Sequence, residues 1–334
     1  MQTQVKINNA QIDKIGSVIS ELKVNPTFYK RKFLTYRTDK DILLGMYFFS
    51  VAICHQTHTL HNKELNLWGW DYLEYGFLEM AKNNSPLLSP KYLETTESSL
   101  LKNQLAKYFA EDFIAGNTTL DRLDERVELM KDAAKIINKK YNGSLTNLFE
   151  KQNYYLIKQN QGLYEMLESF KAFSDPKRKK STFLIKLLKE ADLVKVIDTE
   201  NYIPIMDYHM QRVLLRSACV EIADEELKDK LKNRVELSSD EPIRSACIDA
   251  LKQIALKSKK DITKMNDFFW SMGRSCCNET TLCRDKKCLK QPCTFQTIVD
   301  LDSHAECVFA EYCPGSSDDN YRNLWEPIVK THYY

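Results

Sequence analysis

Cysteines are concentrated late in this chain, in a short stretch that is also rich in charge. Seven of the ten lie there: Cys276, Cys277, Cys283, Cys288, Cys293, Cys307 and Cys313. Thiolates at such short separations can hold one metal ion or an iron–sulfur cluster. The first residues show no signal-peptide pattern, so we expect reduced thiols and rank disulfides below metal binding. Spacing alone does not choose between iron and zinc.

Asp207 is a second candidate for chemistry, because it stands at the mouth of a helical pattern. Met210, Val213 and Leu214 follow it at helical spacing. A carboxylate at this position can cap the helix by accepting backbone N–H groups. At the edge of a pocket it can instead stabilise an oxocarbenium-like sugar or activate water. The residues alone leave both roles open.

Cations and aromatic residues form two further candidate groups. Four consecutive cations follow the turn at Asp175-Pro176, namely Lys177, Arg178, Lys179 and Lys180. Such a run can contact phosphates, or it can be a solvated surface turn. Trp68 and Trp70 belong to an aromatic cluster, which can pack in the core or stack on an extruded base.

Helices are the elements that must position these residues. An apolar stripe at steps of three and four predicts a helix over 118–141, capped by Thr118 or Thr119 and ended near Gly143. A second helix is predicted over 242–256, opened by Pro242. No alternating strand pattern extends beyond a few residues. The sequence therefore predicts an all-α protein.

Composition limits the function classes. Of the 334 residues, 43% are hydrophobic and 28% charged, which is typical of a soluble globular protein. The net charge of +2 does not indicate strong non-specific binding to nucleic acid. No apolar run approaches the roughly 18 residues that a membrane span needs. We expect a cytoplasmic monomer, associated with the nucleoid if it acts on DNA.

A change of composition near residue 274 predicts the domain organisation. Residues 1–274 are expected to form a helical core of two lobes with a cleft between them. Residues 275–313 would form a Cys-rich loop, and 314–334 a tail that contains Trp325.

Three segments resemble the helix-hairpin-helix (HhH-GPD) DNA glycosylase superfamily. The stretch around the family's catalytic aspartate is matched in register by Asp207, His209, Arg212, Val213 and Arg216. Upstream, 50–57 resembles the early helix that ends in Gln-Thr near the bound base, which places Gln56 beside the substrate. The resemblance implies a two-lobed helical glycosylase fold, with Asp207 catalytic and Gln56, His209, Trp68 and Trp70 as substrate-binding residues.

The third segment is the cysteine run. Residues 272–276 are similar to the Gly-Arg-x-x-Cys that begins the [4Fe–4S] loop of endonuclease III and the adenine glycosylases. The family spacing is Cys-x6-Cys-x2-Cys-x5-Cys, whereas Cys276, Cys283, Cys288 and Cys293 are separated by six, four and four residues. The resemblance implies a [4Fe–4S] cluster on these four thiolates, with zinc as the alternative. Cys277 can replace Cys276 as first ligand, and the roles of Cys307 and Cys313 stay open.

The chain also departs from the glycosylase pattern. It has no glycine-rich hairpin of the kind that grips DNA phosphate, and the cations of 177–180 stand in its place. Lys189 precedes Asp207 by eighteen residues, the separation at which bifunctional glycosylases place a Schiff-base lysine. Lys189 is thus a candidate for lyase chemistry, which requires an uncharged amine in a desolvated pocket.

A second resemblance, over much of 40–275, is to the queuosine salvage proteins, which cleave a ribosyl–base bond in a nucleotide. It rests on short motifs in a shared order: 67–70, 125–130, 205–208 and 243–247. Those relatives lack the cysteine loop. Both resemblances imply N-glycosyl bond cleavage at Asp207, and they differ in the substrate.

The sequence thus predicts a hydrolase that cleaves N-glycosyl bonds. The favoured prediction is a DNA glycosylase of base-excision repair that removes a damaged or modified base, with or without lyase activity. The alternative is a queuosine-type nucleotide N-glycosidase, and the third hypothesis is a non-catalytic nucleic-acid-binding metal module. DNA or a modified nucleotide is the expected partner, and which base is removed cannot be read from the sequence.

Overall fold

A computed structural model describes residues 4–24, 31–150, 154–159, 161–290 and 292–334. These residues are mostly helical, as predicted, with a few strands of two or three residues. The sequence analysis did not predict the strands, because pairs this short have no alternating pattern to detect. Among the described residues, no helix is long and apolar enough to cross a membrane.

The chain divides into two compact units. The first unit comprises Met1–Tyr29 and Ile203–Lys330, and the second comprises Lys30–Tyr202 and Thr331–Tyr334. The Cys-rich segment, expected to be a separate loop from residue 275 onwards, belongs to the first unit. The division at residue 274 into a core and a Cys-rich loop stays a prediction.

The first unit contains the Asp207 helix and the Cys-rich segment. Its elements are β1 (Val5–Ile7), α1 (Asn9–Glu21), β2 (Lys23–Val24), α11 (Tyr208–Arg216), β5 (Val220–Ile222), α12 (Glu225–Lys232), α13 (Glu241–Ser258), α14 (Ile262–Ser275), α15 (Leu282–Asp285), α16 (Thr294–Ile298), β6 (Val299–Asp300) and α17 (Asp319–Arg322). β1 pairs with β5 and β2 with β6, both antiparallel.

One hydrophobic core holds the first unit together. α1 packs on α13, and α11 packs on α13 and α14. The Phe268 ring on α14 lies 5.1 Å from the Phe295 ring and 5.7 Å from the Phe309 ring. Both partner rings come from the Cys-rich segment, which is therefore packed against the core by buried aromatic area.

The second unit is built around an almost fully buried helix. Its elements are α2 (Lys32–Thr35), α3 (Lys40–Ala52), β3 (His61–Asn62), β4 (Leu67–Trp68), α4 (Trp70–Lys82), α5 (Pro90–Thr95), α6 (Ser98–Tyr108), α7 (Leu123–Tyr141), α8 (Leu145–Glu150), α9 (Leu163–Glu168) and α10 (Lys179–Glu190). Every residue from Leu43 to Ala52 is buried, as expected of a helix that is apolar on all sides. α4, α7, α8 and α10 pack around it.

The two helices that we predicted in detail are present with shifted ends. α13 runs two residues further at its C-terminus than the predicted 242–256 and begins one residue earlier. α7 begins at Leu123, after Arg122 in the left-handed region, so neither Thr118 nor Thr119 caps it. The Thr119 hydroxyl instead bonds to the backbone of His61. A hydroxyl near a helical pattern was thus mistaken for a cap.

Candidate functional site

Asp207 caps the N-terminus of α11. Its Oδ1 accepts the backbone N–H of Met210 at 3.1 Å, and only 8% of the residue is exposed. The hydrogen bond holds the carboxyl group at the positive end of the helix dipole. Burial and the charge of Asp207 raise the pKa of the neighbouring Tyr208 hydroxyl, so that phenol stays protonated. The site combines a carboxyl group held in place with a phenol that can donate a hydrogen bond.

The loop before Asp207 is held by polar contacts to two helices. Asn266 on α14 accepts the backbone N–H of Ile205 at 3.0 Å. Arg244 on α13 is buried, and its Nε lies 3.4 Å from the carbonyl oxygen of Met206. These contacts fix the backbone on the N-terminal side of the carboxylate.

Two buried arginines on α11 connect the Asp207 helix to the Cys-rich segment. Arg212 donates to the carbonyls of Cys277 at 2.9 Å and Gly273 at 2.7 Å, and it pairs with Glu326 at 2.5 Å. Arg216 donates to the carbonyls of Asn278 at 2.8 Å and of Leu324, at 2.9 Å. Both arginines matched a glycosylase motif in the sequence, and both act here as structural ties.

His209, predicted to bind substrate, is engaged within the first unit. Its Nδ1 lies 3.1 Å from Arg212 Nη2, and its ring centroid is 4.3 Å from that of Tyr208. Its carbonyl oxygen lies so close to Gly273 that a Cβ there would approach it to 2.3 Å. The glycine therefore permits the close approach of α11 and α14.

The second unit contains a buried cluster of polar and ionisable groups around Lys180. Its Nζ donates to the Ala52 carbonyl at 2.6 Å and lies 3.4 Å from His55 Nδ1. Both Lys180 and His55 are fully buried. Burial lowers the pKa of Lys180 to about 7, and burial together with the Lys180 charge lowers the pKa of His55. His55 Nε2 lies 3.8 Å from a carboxylate oxygen of Glu125.

Gln56 lies next to this cluster, in the second unit, whereas Asp207 belongs to the first. Gln56 has a positive φ of 44°, and its side-chain oxygen accepts a hydrogen bond from Arg122. Arg122 also pairs with Glu125 at 2.6 Å. The role of Gln56 in base recognition stays a prediction.

The two predicted tryptophans have different environments. Trp68 is 42% exposed and stacks on His61 with ring centroids 4.9 Å apart. Trp70 donates to Glu74 at 3.0 Å and packs edge-on against Phe183 at 4.7 Å. Trp68 thus retains an accessible ring face, and Trp70 contributes to packing.

The cation run is not the surface turn that we considered. α10 begins at Lys179 and packs on α3, so Lys179 is 7% exposed and Lys180 fully buried. Lys177 and Arg178 are half-buried, and Arg178 stacks 4.9 Å from the Tyr164 ring centre. The predicted four-residue phosphate contact surface is therefore reduced to its first two members.

Lys189, our candidate for Schiff-base chemistry, is exposed near the end of α10, with its Nζ 5.6 Å from the Tyr202 ring centre. A nucleophilic amine needs a desolvated pocket, and Lys180, unlike Lys189, is buried. The lyase role of Lys189 stays a prediction.

A tight group of ligand-type side chains lies in the Cys-rich segment. We call it the first metal group; it consists of Cys276, Cys288, Cys293 and His304, whose ligand atoms all lie within 4.8 Å of one another. Cys276 Sγ is 3.8 Å from Cys293 Sγ and 3.5 Å from His304 Nε2, and Cys293 Sγ is 3.2 Å from the same nitrogen. The contact between the two sulfurs lowers the pKa of Cys293 and raises that of Cys276. The group can hold a metal ion.

Three of the four predicted ligands are thus brought together, and Cys283 is not among them. His304 takes the fourth position in the group, which contains Cys276 and not Cys277. We missed His304 because the ligand set was carried over from a family with four cysteines. The sequence did contain a signal for it, a histidine eleven residues after Cys293. Structural zinc sites commonly combine Cys and His ligands.

Comparison with known proteins bears on this arrangement. The family model for the queuosine salvage protein matches residues 44–279, well over half of the chain. The chain belongs to the queuosine salvage protein family. No curated protein matches it significantly.

The queuosine salvage match includes both of the buried sites described above. Asp207 and the Lys180 cluster lie within 44–279, whereas Cys283, Cys288, Cys293 and His304 lie beyond it. The HhH-GPD glycosylase assignment, which we favoured, receives no support. Most of the Cys-rich segment lies beyond the matched region.

Proposed function

We propose that this protein is an N-glycosidase that hydrolyses the bond between ribose and a queuine-type base in a small modified nucleotide. The observation that carries the proposal is the queuosine salvage match over residues 44–279, which includes Asp207. This was the alternative in our sequence analysis. It now replaces DNA as the favoured substrate.

Two features of the chain weaken the DNA alternative. The sequence has no glycine-rich hairpin for the phosphate backbone. Lys179 and Lys180, which stood in its place, are buried. A small nucleotide needs no extended cationic surface, because only a single phosphate has to be bound.

Asp207 is the proposed catalytic residue. As the N-glycosidic bond stretches, C1′ gains positive charge, and a carboxylate held nearby lowers the barrier electrostatically. Its oxygen can also orient the attacking water, which then transfers a proton to it. The N-cap hydrogen bond from Met210 fixes the carboxylate before substrate binds, so little reorganisation is needed.

The first metal group supports a zinc ion better than a [4Fe–4S] cluster. In a tetrahedral site with Zn–S of ~2.3 Å and Zn–N of ~2.0–2.1 Å, adjacent ligands are ~3.8 Å (S···S) and ~3.5 Å (S···N) apart. Two observed separations, 3.8 Å between the sulfurs of Cys276 and Cys293 and 3.5 Å from Cys276 to His304, agree with these values, and the third, from Cys293 to His304, is shorter at 3.2 Å. In a cubane cluster each ligand binds a different iron, which requires wider separations. Four protein ligands fill the coordination sphere, so we assign this ion a structural role.

Base release distinguishes the candidate activities. Purified protein is incubated with queuosine 5′-monophosphate, and in parallel with duplex DNA that carries a panel of damaged bases, and free base is measured by mass spectrometry. We expect release from the nucleotide alone. Release from DNA alone would overturn the proposal, and release from neither would favour a non-catalytic role.

The Asp207→Asn variant tests the catalytic assignment. We expect at least about 100-fold slower base release, with unchanged melting, because asparagine also caps helices well. Asp224→Asn is the matched control, since Asp224 caps α12 in the same unit by accepting the N–H of Leu227 at 2.9 Å. Full activity in the Asp207 variant, or an equal loss in both variants, would refute the assignment.

A further inference from the structure

Four cysteines of the Cys-rich segment are not used by the first metal group. We call them the second cysteine group; it consists of Cys277, Cys283, Cys307 and Cys313. They form two pairs with the same spacing, Cys-x5-Cys, separated by twenty-three residues. All seven cysteines of the segment thus divide into three that group with a histidine and four that do not.

The second cysteine group converges on one cavity. All four of its members line a cavity of about 20 Å³ in the first unit, together with Arg216 and Arg322. A volume of this size accommodates one water-sized guest, so the four side chains leave room for a small guest between them. Burial, followed by the nearby thiols of Cys277 and Cys283, raises the pKa of Cys307 to about 12. The four thiols therefore interact although they come from distant positions in the chain.

Positive charge and backbone N–H groups lie beside these sulfurs. The N–H groups of Phe309 and Gly315, each two residues further along the chain, act against burial and lower the pKa of Cys307 and Cys313. N–H donors of this kind orient metal-bound sulfurs and tune their charge. Arg216 Nη1 lies 3.7 Å from Cys277 Sγ. Four thiolates around a divalent cation leave a net negative charge, which the arginines would offset.

Two simpler explanations account for less of this arrangement. Core packing explains why thiols are buried, but it does not explain why four of them line one cavity together with two arginines. Disulfides would join the thiols in pairs, and all four are free in this structure.

We propose that the second cysteine group is a second metal centre, in which four thiolates bind one tetrahedral, thiophilic ion, either zinc or iron. Thiolate sulfur selects these ions over magnesium or calcium. Binding would displace the thiol protons into solvent and would stabilise the folded first unit.

The two metal centres would be interleaved along the chain. Cys276 and Cys277 are adjacent but belong to different groups. Cys288, Cys293 and His304 of the first metal group lie in the chain between the two cysteine pairs of the second. The second centre also contacts the Asp207 helix, because Cys313 Sγ lies 3.4 Å from the carbonyl oxygen of Arg216, the last residue of α11. It would anchor the C-terminal end of the helix whose N-terminus is capped by Asp207.

Metal stoichiometry of the full chain tests this inference independently of the proposed activity. The protein is reconstituted anaerobically with Zn²⁺ alone or Fe²⁺ alone, and bound metal per chain is measured by mass spectrometry. We expect two tightly bound ions per chain with at least one of the two metals. If the chain binds one ion or none with both metals, the second centre is overturned.

Variants assign the ions to the two centres. Cys307→Ser/Cys313→Ser should lose one ion of two, and His304→Ala should weaken only the other. Cys247→Ala, at a core cysteine outside the segment, should keep both. Cobalt substitution adds a spectroscopic readout, because a four-thiolate site gives stronger thiolate-to-cobalt absorption than a site with three thiolates and one histidine. Loss of no metal in the double serine variant would refute the assignment.

A measurement on the unaltered protein covers the case in which the serine variants fail to fold. The metal-loaded chain is alkylated with and without a chelator, and each cysteine is followed by peptide mass spectrometry. We expect the second cysteine group to be protected until the metal is removed. Rapid alkylation in the loaded protein, or recovery of these cysteines as disulfides, would contradict the proposal.

Discussion

The buried amine of Lys180 should make stability depend on pH. Desolvation lowers its pKa from 10.5 to about 7 in the folded protein, whereas the unfolded chain keeps the ordinary value. Between these two values the unfolded state binds more protons, so stability rises with pH. The destabilising contribution is fully present below pH 7 and disappears above about pH 10.5. Replacing Lys180 with methionine should remove this dependence.

The magnitude follows from the two pKa values. Each pH unit between them is worth up to about 1.4 kcal/mol, and partial titration near pH 7 reduces this. From pH 7 to pH 9 the wild type should gain about 2 kcal/mol relative to Lys180→Met, or roughly 4–8 °C in melting temperature for a unit of this size. The variant also loses the hydrogen bond to Ala52, but that loss is the same at both pH values and cancels.

The assay is thermal unfolding of wild type and variant at pH 7 and pH 9, monitored by tryptophan fluorescence. Lys189→Met removes an exposed lysine from the same helix and controls for the loss of one positive charge. As pH rises from 7 to 9, the melting temperature of the wild type should increase relative to that of Lys180→Met. An equal difference at both pH values would mean that the folded protein keeps Lys180 charged, and the argument from burial would be wrong.

Three further predictions concern the first unit. Gly273→Ala should lower the free energy of unfolding by about 1–3 kcal/mol, because its Cβ would approach the His209 carbonyl oxygen to 2.3 Å. Gly116→Ala, where the added carbon meets nothing within 4 Å, is the control, and an equal effect of both in urea unfolding would contradict this. Arg212→Met should cost about 3–5 kcal/mol, since it leaves Glu326 without its buried partner; a change under 1 kcal/mol in the same assay would show that the pair is dispensable. A zinc chelator should lower the melting temperature of the purified protein, and added Zn²⁺ should restore it; no response to the chelator would refute a structural ion at the first metal group.

The sequence predicted local features well and side-chain grouping poorly. The helical fold and the N-terminal position of Asp207 on its helix both follow from apolar spacing over a few turns. The burial of Lys179 and Lys180 could not be predicted from the sequence, because four consecutive cations indicate a solvent-exposed surface. Only the packing of α10 on α3 places these two lysines inside the protein. A run of charges indicates that burial would be unfavourable, but the sequence does not show whether tertiary packing offsets that cost.

The cysteines show the same division most clearly. Their number and crowding, read from the sequence alone, were sufficient to predict a group of metal-ligand side chains in the segment from Cys276 to Cys313. Which sulfurs belong together was decided only by the tertiary structure, which separates the neighbours Cys276 and Cys277 and brings His304 to Cys293. Coordination depends on distances between atoms that the folded backbone sets, and sequence spacing constrains these distances only loosely once the loop between two ligands exceeds a few residues.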